Sequence, residues 1–488
     1  MSAMPTLSVV IPTRNRPQVL LKALACIQEG SEHPEEVIVV DDGSDPPLGG
    51  SIDSAGYPFA LTVLRNAPAR GAPAARNRGM RMARGEVVLI IDDDILLDRH
   101  AIRYHKALHQ RHPEPGYAVS GRVIFDPDMP RTVILDYLEE YGSHAWMARR
   151  AEGELFRSGV ISANLSMKTV FLRDRPLFDE RFPYNRNEDT EFGLRMMRHG
   201  MRPRFSYAPS ARHHSPLTLH DYLGVLEKSG LCKGFWALHM PDDTDRCFML
   251  ERLLRGAGER SRVFDEAGAV MRELGEDFAD RAVDDVSVSD RHRFCEIAPR
   301  WFAYIEQEFQ LRYWRDHVSG FDRIESLLDR NGGPWSAEAF AAAHAVNRGF
   351  LPLALVYANY LIDTGRSVEV SGVLEPFDGV WADLTRAHAA VELGDWQSTE
   401  ALIRRVIDRT EDPTVIAARQ RQLAAQRLNG VCDTGHVPSE LKSLACRLRD
   451  LEPDFAFLGS IAPAEKHLAV EARYEHMREI LPHDRPSA

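Results

Sequence analysis

The spacing of hydrophobic residues divides the chain into an alternating first part and a helical second part. Apolar runs of strand length, rich in Val, Ile and Leu, lie at 7–11, 37–40, 61–64 and 87–91. Such runs are typical of parallel strands that helices cover on both sides. Between them, Pro17 and Gly30 bracket one helical pattern, and a second pattern covers 73–84. The first part is therefore predicted to be an α/β fold with a mostly parallel sheet flanked by helices.

The pattern becomes more helical further along the chain. Short strands are predicted near 118–125 and 160–167, and a helix at 189–199. Helical spacing then recurs at 221–240, 337–345, 352–364, 381–393 and 396–410. The small residues at 387–390, followed by Gly394-Asp395-Trp396, are similar to tetratricopeptide-like hairpins. We predict an α/β domain at 1–240, a helical connecting region at 241–333 and an α-helical array at 334–488.

Composition and charge narrow the class of protein. With 488 residues, 44% of them hydrophobic and 27% charged, the chain is a globular protein of more than one domain. The net charge of −12 disfavours nucleic acid and anionic membranes as partners. The six cysteines are scattered, which indicates free thiols. With no signal-peptide pattern and no apolar run near the roughly 18 residues that span a bilayer, we expect a cytoplasmic protein.

The strand at 87–91 ends in three carboxylates, Asp92-Asp93-Asp94. Adjacent acids repel one another, and burying an unpaired charge is costly, so a cation is expected beside them. Ligands of open α/β sheets bind at the carboxyl ends of strands, which favours a divalent metal that carries a phosphate ligand. The alternative is a solvated acidic turn, because Asp is common after strands.

A second strand also ends in acids, and a basic segment lies between the two. Asp41 and Asp42 follow the run at 37–40, where one acid could accept a hydrogen bond from a nucleobase and the alternative is an ordinary Asx turn. The segment 70–84 contains five arginines and no acid. Arg70 and Arg76 are predicted to bind a diphosphate at the start of a helix. Arg81 and Arg84 instead fit a solvated helix face.

Two later motifs add candidate catalytic and metal-binding groups. Glu188 and Asp189 open the helix at 189–199, where the helix dipole favours acids without any chemistry. Asp189 could nevertheless project into a cleft as a general base. His213 and His214 stand in tandem, and imidazole is a good ligand for manganese-like metals, although a single His is more often structural. The remaining histidines are predicted to lie on exposed helix surfaces, among them His105, His109 and His112.

Six motifs follow one another in a fixed order. The first three are Ser8-Val9-Val10-Ile11-Pro12-Thr13-Arg14-Asn15-Arg16, Val40-Asp41-Asp42-Gly43-Ser44 and Ala75-Arg76-Asn77-Arg78-Gly79. The others are Asp92-Asp93-Asp94, Phe178-Asp179-Glu180-Arg181-Phe182 and Glu188-Asp189-Thr190-Glu191-Phe192-Gly193-Leu194-Arg195. In this order, the motifs resemble a family 2 glycosyltransferase of the GT-A fold over roughly residues 7–240. The resemblance implies a Rossmann-like GT-A sheet, and it does not extend to the all-α region that follows.

The resemblance, together with the charges noted above, implies a role for each matching residue. The residues expected to bind the nucleotide sugar are Pro12, Thr13, Arg14, Asp41, Asp42, Arg70, Arg76, Asp92, Asp93 and Asn164. Asp42, with Asp41 beside it, would accept a hydrogen bond from the base, and Asn164 would lie near the sugar and acceptor. The implied ligands of Mn²⁺ or Mg²⁺ are Asp94, Asp92 and His214 or its neighbour His213. Asp189 would be the catalytic base, with Glu188 supporting it.

The implied reaction is inverting transfer of a sugar, hexosyltransferase-like, from a UDP-, GDP- or dTDP-sugar to an acceptor hydroxyl. A metal and arginines would stabilise the departing diphosphate. The Gln-x-x-Arg-Trp motif of processive membrane synthases is absent, which favours a non-processive enzyme. The acceptor could be a glycan, a lipid-linked glycan or a small molecule. The helical region could bind the acceptor, a protein partner or a second copy of the chain.

Two other functions are compatible with parts of the sequence. A catalytically inactive GT-A domain could serve as a sugar-binding or scaffold protein. Such a domain would have no need to keep the costly cluster of charges formed by Asp42, Asp94 and Asp189. A nucleotidyltransferase on a related sheet would typically carry a Gly-rich, Lys-bearing loop after its first strand. The segment 8–17 has neither glycine nor lysine. The sugar transferase is therefore the preferred prediction.

Overall fold

The computed structural model describes residues 3–50, 52, 54–141, 150–155, 160–239, 250, 257–328 and 336–410. The part of the predicted helical array at 411–488 lies outside the described residues, as do Met240, Cys247, Cys432 and Cys446. The three described cysteines, Cys26, Cys232 and Cys295, are free thiols, as predicted.

Within the described residues, eight strands form one mixed sheet. The strands are β1 (Leu7–Thr13), β2 (Glu36–Asp41), β3 (Ala60–Arg65), β4 (Val87–Ile91), β5 (Ile95–Leu97), β6 (Tyr117–Phe125), β7 (Asn164–Lys168) and β8 (Arg202–His213). Their order across the sheet is β3-β2-β1-β4-β7-β6-β8-β5. The strands β3, β2, β1 and β4 are mutually parallel, whereas β7 is antiparallel to β4 and β6. The predicted α/β fold is confirmed, and its four adjacent parallel strands are the four runs that the sequence indicated, while β6 and β8 form a further parallel pair.

The burial of the parallel strands explains their continuous apolar pattern. Every residue of β1 and of β4 is buried. Helix α1 (Pro17–Gln28) packs on the sheet face that contains Val9, and helix α2 (Ala72–Met82) packs on the opposite face, against Val10. Because successive residues of a strand point to opposite faces, a strand covered on both sides needs apolar residues throughout.

The sequence pattern missed two strands. β5 has only three residues, and β8 contains arginines and prolines that hide its alternation. The ladder between β6 and β8 also shifts its register. Gly121 pairs with Ser206, whereas Val123 pairs with Ala211, so that residues 207–210 bulge out of the ladder. We call these four residues the β8 bulge.

The remaining helices lie mostly in the second part of the chain. The α/β part contains α3 (Ala101–Arg111), α4 (Val133–Tyr141), α5 (Thr169–Leu172), α6 (Glu188–Arg198) and α7 (Leu219–His239). The helices that follow are α8 (Ala257–Leu274), α9 (Val288–His317), α10 (Phe321–Leu328), α11 (Ala337–Val346), α12 (Leu351–Asp363), α13 (Val370–Leu374), α14 (Val380–Glu392) and α15 (Trp396–Thr410). The all-α second part is confirmed as far as Thr410. Among the described helices, none is both long and apolar enough to cross a membrane.

Two histidines of α3 contradict the prediction that they lie on a helix surface. His105 and His109 are only 0% and 3% exposed, and both side chains contact Ser166 of β7. Their spacing of four residues places them on one face of α3, which is the face that packs on the sheet. A polar residue on a buried helix face is not evident from hydrophobic periodicity, which explains the wrong prediction.

The second part of the chain packs directly on the first through α7 and α9. A Cβ atom added to Gly230 of α7 would lie 2.3 Å from the carbonyl oxygen of Glu306 in α9. A continuous cluster of buried side chains runs from Val10 in the sheet through Trp236 of α7 to Trp381 of α14. The two parts therefore share a core, and the domain boundaries after 240 and 333 remain predictions.

Replacing Gly230 by alanine should lower the melting temperature, because the new Cβ has no room unless α7 and α9 move apart. Overpacking of this kind costs about 1–3 kcal/mol. Gly224→Ala is a matched control on the same helix, where nothing lies within 4 Å of the added Cβ. There, the higher helix propensity of alanine should stabilise the fold slightly. Equal melting temperatures for the two variants would contradict the close approach of α7 and α9.

Candidate active site

The predicted acids follow strand ends that lie side by side. Because β1 is parallel to both β2 and β4, the residues after these strands meet at one edge of the sheet. Thr13, at the end of β1, is in register with Asp41, at the end of β2. Asp92 follows the end of β4 directly. This edge is where open α/β sheets bind their ligands.

Thr13 and Arg16 hold the acidic turn after β4. Thr13 Oγ1 donates to Asp93 Oδ2 at 2.7 Å, and Arg16 donates to Asp93 Oδ1 at 2.8 Å and to Asp94 Oδ2 at 2.9 Å. Burial raises the pKa of Asp93 to about 6, although Arg16 acts against it. Burial acts on Asp94 in the same direction, but His213 and Arg16 outweigh it and hold the pKa of Asp94 well below its usual value. Asp94 is therefore ionised across the physiological range.

Arg76 joins the acidic turn to the acidic pair that opens α6. Its guanidinium donates to Asp92 Oδ1 at 2.7 Å and to Glu188 Oε1 at 2.6 Å. The side chains of Arg76 and Glu188 are each only 3% exposed, so this ion pair is desolvated. Arg76 Nε and Glu188 Oε2 are buried without a hydrogen-bond partner. One buried arginine thus brings together two motifs that are far apart in the sequence.

Asp189 lies next to Glu188 in the first turn of α6 and is half-buried. Its carboxylate accepts hydrogen bonds from the backbone N–H groups of Thr190 at 2.7 Å and Ser162 at 3.3 Å. Burial raises the pKa of Asp189, and it also raises the pKa of Glu188, while Arg76 opposes both shifts. A carboxylate whose pKa lies closer to neutrality is a better proton acceptor at neutral pH. The environment of Asp189 therefore suits a general base.

Asp42 fixes the loop that leads into α2. Its Oδ1 accepts from the Asn66 side chain at 2.8 Å and from the Arg70 backbone N–H at 2.9 Å. Its Oδ2 accepts from the Gly71 backbone N–H at 2.8 Å. Since a carboxylate oxygen can accept two hydrogen bonds, Oδ2 has capacity for one more donor.

Asp41 has a different task from its neighbour. It is fully buried, and it accepts from the backbone N–H groups of Ser44 at 2.8 Å and Leu48 at 3.3 Å and from the Arg65 guanidinium at 2.5 Å. Burial alone would raise the pKa of Asp41, but these hydrogen bonds hold the pKa below its usual value. The structure thus gives Asp41 a role in the turn after β2, in place of the predicted contact with a nucleotide.

Three further predicted residues lie within β1, in the loop that follows it, and in the segment that precedes α2. Arg70 is exposed, and its guanidinium donates to Glu180 Oε2 at 2.7 Å. Arg14 is exposed in the loop after β1, whereas Pro12 is buried within that strand. Arg14 and Arg70 can offer positive charge to a ligand from solvent, whereas Pro12 shapes the strand end.

The structure distinguishes His213 from His214. His213 Nε2 lies 3.4 Å from Asp94 Oδ2. His214 Nδ1 instead lies 2.7 Å from Asp126 Oδ2, and its Nε2 lies 2.8 Å from Lys22 Nζ. Because an ammonium group can only donate, Lys22 occupies the lone pair of His214 Nε2. His213, and not the preferred His214, is therefore the imidazole beside Asp94.

Asn164 does not face the site as predicted. Its side chain is buried, and Nδ2 donates to the carbonyl oxygens of Pro209 at 2.7 Å and Arg122 at 3.3 Å. Its Oδ1 lies 2.9 Å from His105 Nε2. Since protein groups engage both the oxygen and the nitrogen of the amide, Asn164 connects β7 to β6 and β8 instead of presenting its side chain to a sugar.

Sequence reasoning missed Arg16 as a member of the site, and it missed Lys22 and Asp126 as the partners of His214. A signal for Arg16 was available, because Pro17 opens α1 and thereby fixes the preceding residue beside the end of β1. Lys22 lies on an exposed stretch of α1, and Asp126 follows β6. Their contacts with His214 depend on the packing of separate elements, which the sequence pattern does not reveal.

Comparison with known proteins identifies the domain to which part of this site belongs. Residues 8–182 match the model of a family described as Glycosyl transferase family 2. These residues form a family 2 glycosyl transferase domain. The chain is 27% identical to a hyaluronan synthase of Pasteurella multocida over 226 residues, which are 40% of this chain and 23% of that protein. It is 26% identical to a validoxylamine A glucosyltransferase of Streptomyces hygroscopicus subsp. limoneus over 225 residues, which are 41% of this chain and 49% of that protein.

The transferase domain accounts for part of the chain and for part of each relative. The chain spans about half, or less, of the length of these two curated relatives. Among solved structures, GalNAc-T7 with UDP, GalNAc and Mn²⁺ aligns with a TM-score of 0.36 at 16% identity, covering 50% of each chain. The acidic turn and Arg76 belong to the matched residues of the transferase domain, whereas Glu188, Asp189 and His213 follow them.

Proposed function

We propose that the chain is a metal-dependent, inverting and non-processive glycosyltransferase that moves a sugar from a nucleotide-sugar donor to an acceptor hydroxyl. The observation that carries this proposal is the bridge from Arg76 to Asp92 and Glu188. It brings the acidic turn at the donor side next to the base at the acceptor side, and a single displacement needs this proximity. The family match supports the same chemistry and favours it over nucleotidyl transfer.

The donor nucleotide is proposed to lie over the ends of β1, β2 and β4. The free acceptor capacity of Asp42 Oδ2 suits an N–H group of the base. The exposed guanidinium groups of Arg14 and Arg70 suit a diphosphate, which needs cations at an N-terminal helix end. Asp92 or Asp93 is proposed to lie near the ribose.

Mn²⁺ or Mg²⁺ is proposed to bind Asp94 and His213. The two side chains fit such an ion, because Asp94 is ionised, its Oδ2 lies 3.4 Å from His213 Nε2, and manganese accepts both ligand types. Asp92, whose side chain is 35% exposed, is a further oxygen ligand. Among the described residues, however, no three such side chains already converge on one point. When bound, the ion would act as a Lewis acid that stabilises the departing diphosphate.

Asp189 is proposed to take the proton of the acceptor hydroxyl. The hydroxyl oxygen then bonds to the anomeric carbon while the bond from that carbon to the diphosphate oxygen breaks, and the electron pair leaves with the diphosphate. Attack from the side opposite the leaving group inverts the configuration. Glu188 remains paired with Arg76, which holds the first turn of α6 and thereby orients Asp189. Arg16 supplies positive charge next to Asp94.

The helices beyond the transferase domain are proposed to bind the acceptor, a protein partner or a second copy of the chain. They share a buried core with the sheet, from Val10 to Trp381. A partner bound by the helices would therefore be held in a fixed position relative to the site.

A thermal-shift panel of UDP, GDP, dTDP and ADP, each with and without Mn²⁺, tests the donor and metal assignments. A ligand at 100 times its Kd stabilises the folded state by about 2.7 kcal/mol. In a domain of this size, each kcal/mol raises the melting temperature by roughly 2–4 °C. We expect one diphosphate to give such a shift only with Mn²⁺ and Asp94→Asn to abolish it.

Asp128→Asn is the matched control for this panel. Like Asp94, Asp128 is an acid that follows a strand of the sheet, in this case β6. Its side chain is 82% exposed, so the melting temperature of its variant should respond to the ligands as that of the wild type does. A shift that is independent of Mn²⁺ would contradict the metal assignment. If no diphosphate stabilises the wild-type chain, the transferase proposal is wrong and a scaffold function takes its place.

A further inference from the structure

A network of mostly buried polar side chains runs along β7 beside α3, next to the site, and the proposed reaction uses none of them directly. It consists of Lys168, His109, Ser166, His105 and Asn164, and we call it the histidine network. Ser166 Oγ lies 2.8 Å from both His109 Nε2 and His105 Nδ1. His105 Nε2 lies 2.9 Å from Asn164 Oδ1, and Lys168 Nζ lies 3.1 Å from His109 Nδ1. Burying so many polar groups is costly unless all of them are bonded.

The two ends of the network fix the direction of every hydrogen bond in it. At one end, the Lys168 ammonium can only donate, so His109 Nδ1 accepts and His109 Nε2–H donates to Ser166. The Ser166 hydroxyl then donates to His105 Nδ1, which leaves His105 Nε2–H to donate to Asn164 Oδ1. Burial supports the neutral imidazoles that this requires, since it lowers the pKa of His105 to about 4 and lowers the pKa of His109 as well.

At its other end, the network holds the β8 bulge. Asn164 Nδ2 donates to the carbonyl oxygens of Pro209, within the bulge, and of Arg122, opposite it. Gly121 makes room for this amide, because a Cβ there would lie 2.2 Å from both Asn164 Nδ2 and Pro209 O. The amide therefore occupies a space that both neighbouring strands leave open for it.

A carboxylate from another segment fastens the start of the same bulge. Glu152 accepts from the Ser206 hydroxyl and from the Tyr207 backbone N–H, each at 2.8 Å. With Glu152 at the start of the bulge and Asn164 near its end, the path of residues 207–210 is fixed. A bulge re-aims the residues that follow it.

The strand segment after the bulge carries His213 to Asp94. Residues 211–213 pair with β5, which begins at Ile95, and Ile95 is the partner of His213. The same residues pair with the end of β6, where Phe125 is opposite His213. The register of this segment therefore decides how far His213 Nε2 lies from Asp94 Oδ2.

We propose that the histidine network positions His213 for the divalent metal by holding the β8 bulge through Asn164. This inference rests on the proposed function, since it assumes that Asp94 and His213 bind the ion. His105, Ser166 and His109 are positioning residues and do not touch substrate. The network also explains why an asparagine occupies position 164: its amide accepts from His105 and donates to two strands at once.

The test compares two substitutions of His105 in the full chain. His105→Gln keeps an N–H donor at about the position of Nε2, whereas His105→Leu removes it and leaves Asn164 Oδ1 unpaired. Loss of a buried hydrogen bond changes an equilibrium constant by roughly tenfold. We expect the Kd for Mn²⁺, measured by titration calorimetry without nucleotide, to rise about tenfold in His105→Leu and to stay within about threefold in His105→Gln.

A second variant and a control keep the result interpretable. If His105→Leu does not fold, Asn164→Asp replaces it, because the carboxylate still accepts from His105 but cannot donate to Pro209 or Arg122. His112→Gln is the control, since the His112 side chain stacks on Tyr117 and only the His112 backbone carbonyl, which the substitution keeps, accepts from Lys168. An unchanged Kd in a folded His105→Leu or Asn164→Asp variant overturns the inference.

Failure of the proposed function would give a different result. In that case the wild-type chain itself would not bind Mn²⁺. The hydrogen bonds of the network and their effect on His213 are then tested by NMR. The ¹⁵N shifts of His105 and His109 should then report neutral rings protonated at Nε2, and the His213 signals should move in His105→Leu and stay unchanged in His112→Gln. The inference would be overturned, in the absence of metal, if the His105 and His109 rings were protonated at Nδ1 or if the His213 signals did not move in His105→Leu.

Discussion

Replacing Asp189 by asparagine should lower kcat by about 10²–10⁴-fold while the affinity for the donor diphosphate stays within about twofold. The asparagine has nearly the same shape, but it cannot take the acceptor proton, and general-base catalysis contributes an effect of this size. The Ser162 and Thr190 backbone N–H groups can still donate to the side-chain oxygen, so the fold of the first turn of α6 should persist. The kcat is measured as the rate at which the nucleoside diphosphate is released from a donor that carries the nucleotide identified by the thermal-shift panel.

The pH dependence of the wild-type enzyme gives a second check on Asp189. The base must be ionised, so kcat/KM falls as the pH drops through the pKa of Asp189. Because burial raises that pKa, the loss of activity should begin at a higher pH than an exposed aspartate would give. The Asp189→Asn variant should lack this acidic limb. Asp265→Asn, which removes an exposed acid of α8, is the control and should match the wild type. A normal kcat in Asp189→Asn would refute the assignment of the base.

Replacing Arg76 by methionine should destabilise the fold by about 3–5 kcal/mol, the usual cost of removing one partner from a buried ion pair. Methionine keeps much of the volume, but it leaves the buried carboxylate of Glu188 without its cation. Activity should fall as well, because the bridge between Asp92 and Glu188 is lost. Arg81→Met is the matched control on the same helix, since its side chain is 62% exposed and lies 3.8 Å from Glu180. Surface pairs of that kind contribute about 0–1 kcal/mol.

The destabilisation of Arg76→Met should depend on pH with a definite sign. Burial raises the pKa of Glu188 already in the wild type, and the loss of Arg76 removes the group that opposes this rise. A carboxyl group whose pKa is higher in the folded than in the unfolded state favours folding at low pH, and this contribution is lost as the pH rises. Urea unfolding should therefore show a smaller penalty at pH 5 than at pH 8. An equal loss of unfolding free energy at both pH values would mean that the ionisation of Glu188 does not cause the destabilisation.

Hydrophobic spacing was sufficient to predict the parallel part of the sheet. The runs that became β1 and β4 are apolar almost throughout because helices cover both of their faces. The acids at the ends of β2 and β4 could be placed at one edge of the sheet, since parallel strands end on the same side. The short strand β5 and the proline-containing strand β8 escaped prediction because their pairing depends on partners elsewhere in the chain.

The sequence by itself therefore determined the α/β class, the resemblance of its first part to family 2 glycosyltransferases, and the edge of the sheet at which Asp42 and Asp94 would be found. Only the tertiary structure decided which of two adjacent residues makes which contact. Asp41 is buried at the end of β2, whereas Asp42 can accept one more hydrogen bond. His213, and not His214, lies beside Asp94. The side chain of Asn164 belongs to the histidine network. Adjacent residues have nearly the same sequence context, whereas a hydrogen bond depends on donor and acceptor positions to within a few tenths of an ångström. Those positions arise from strands and helices that meet only when the whole domain is packed.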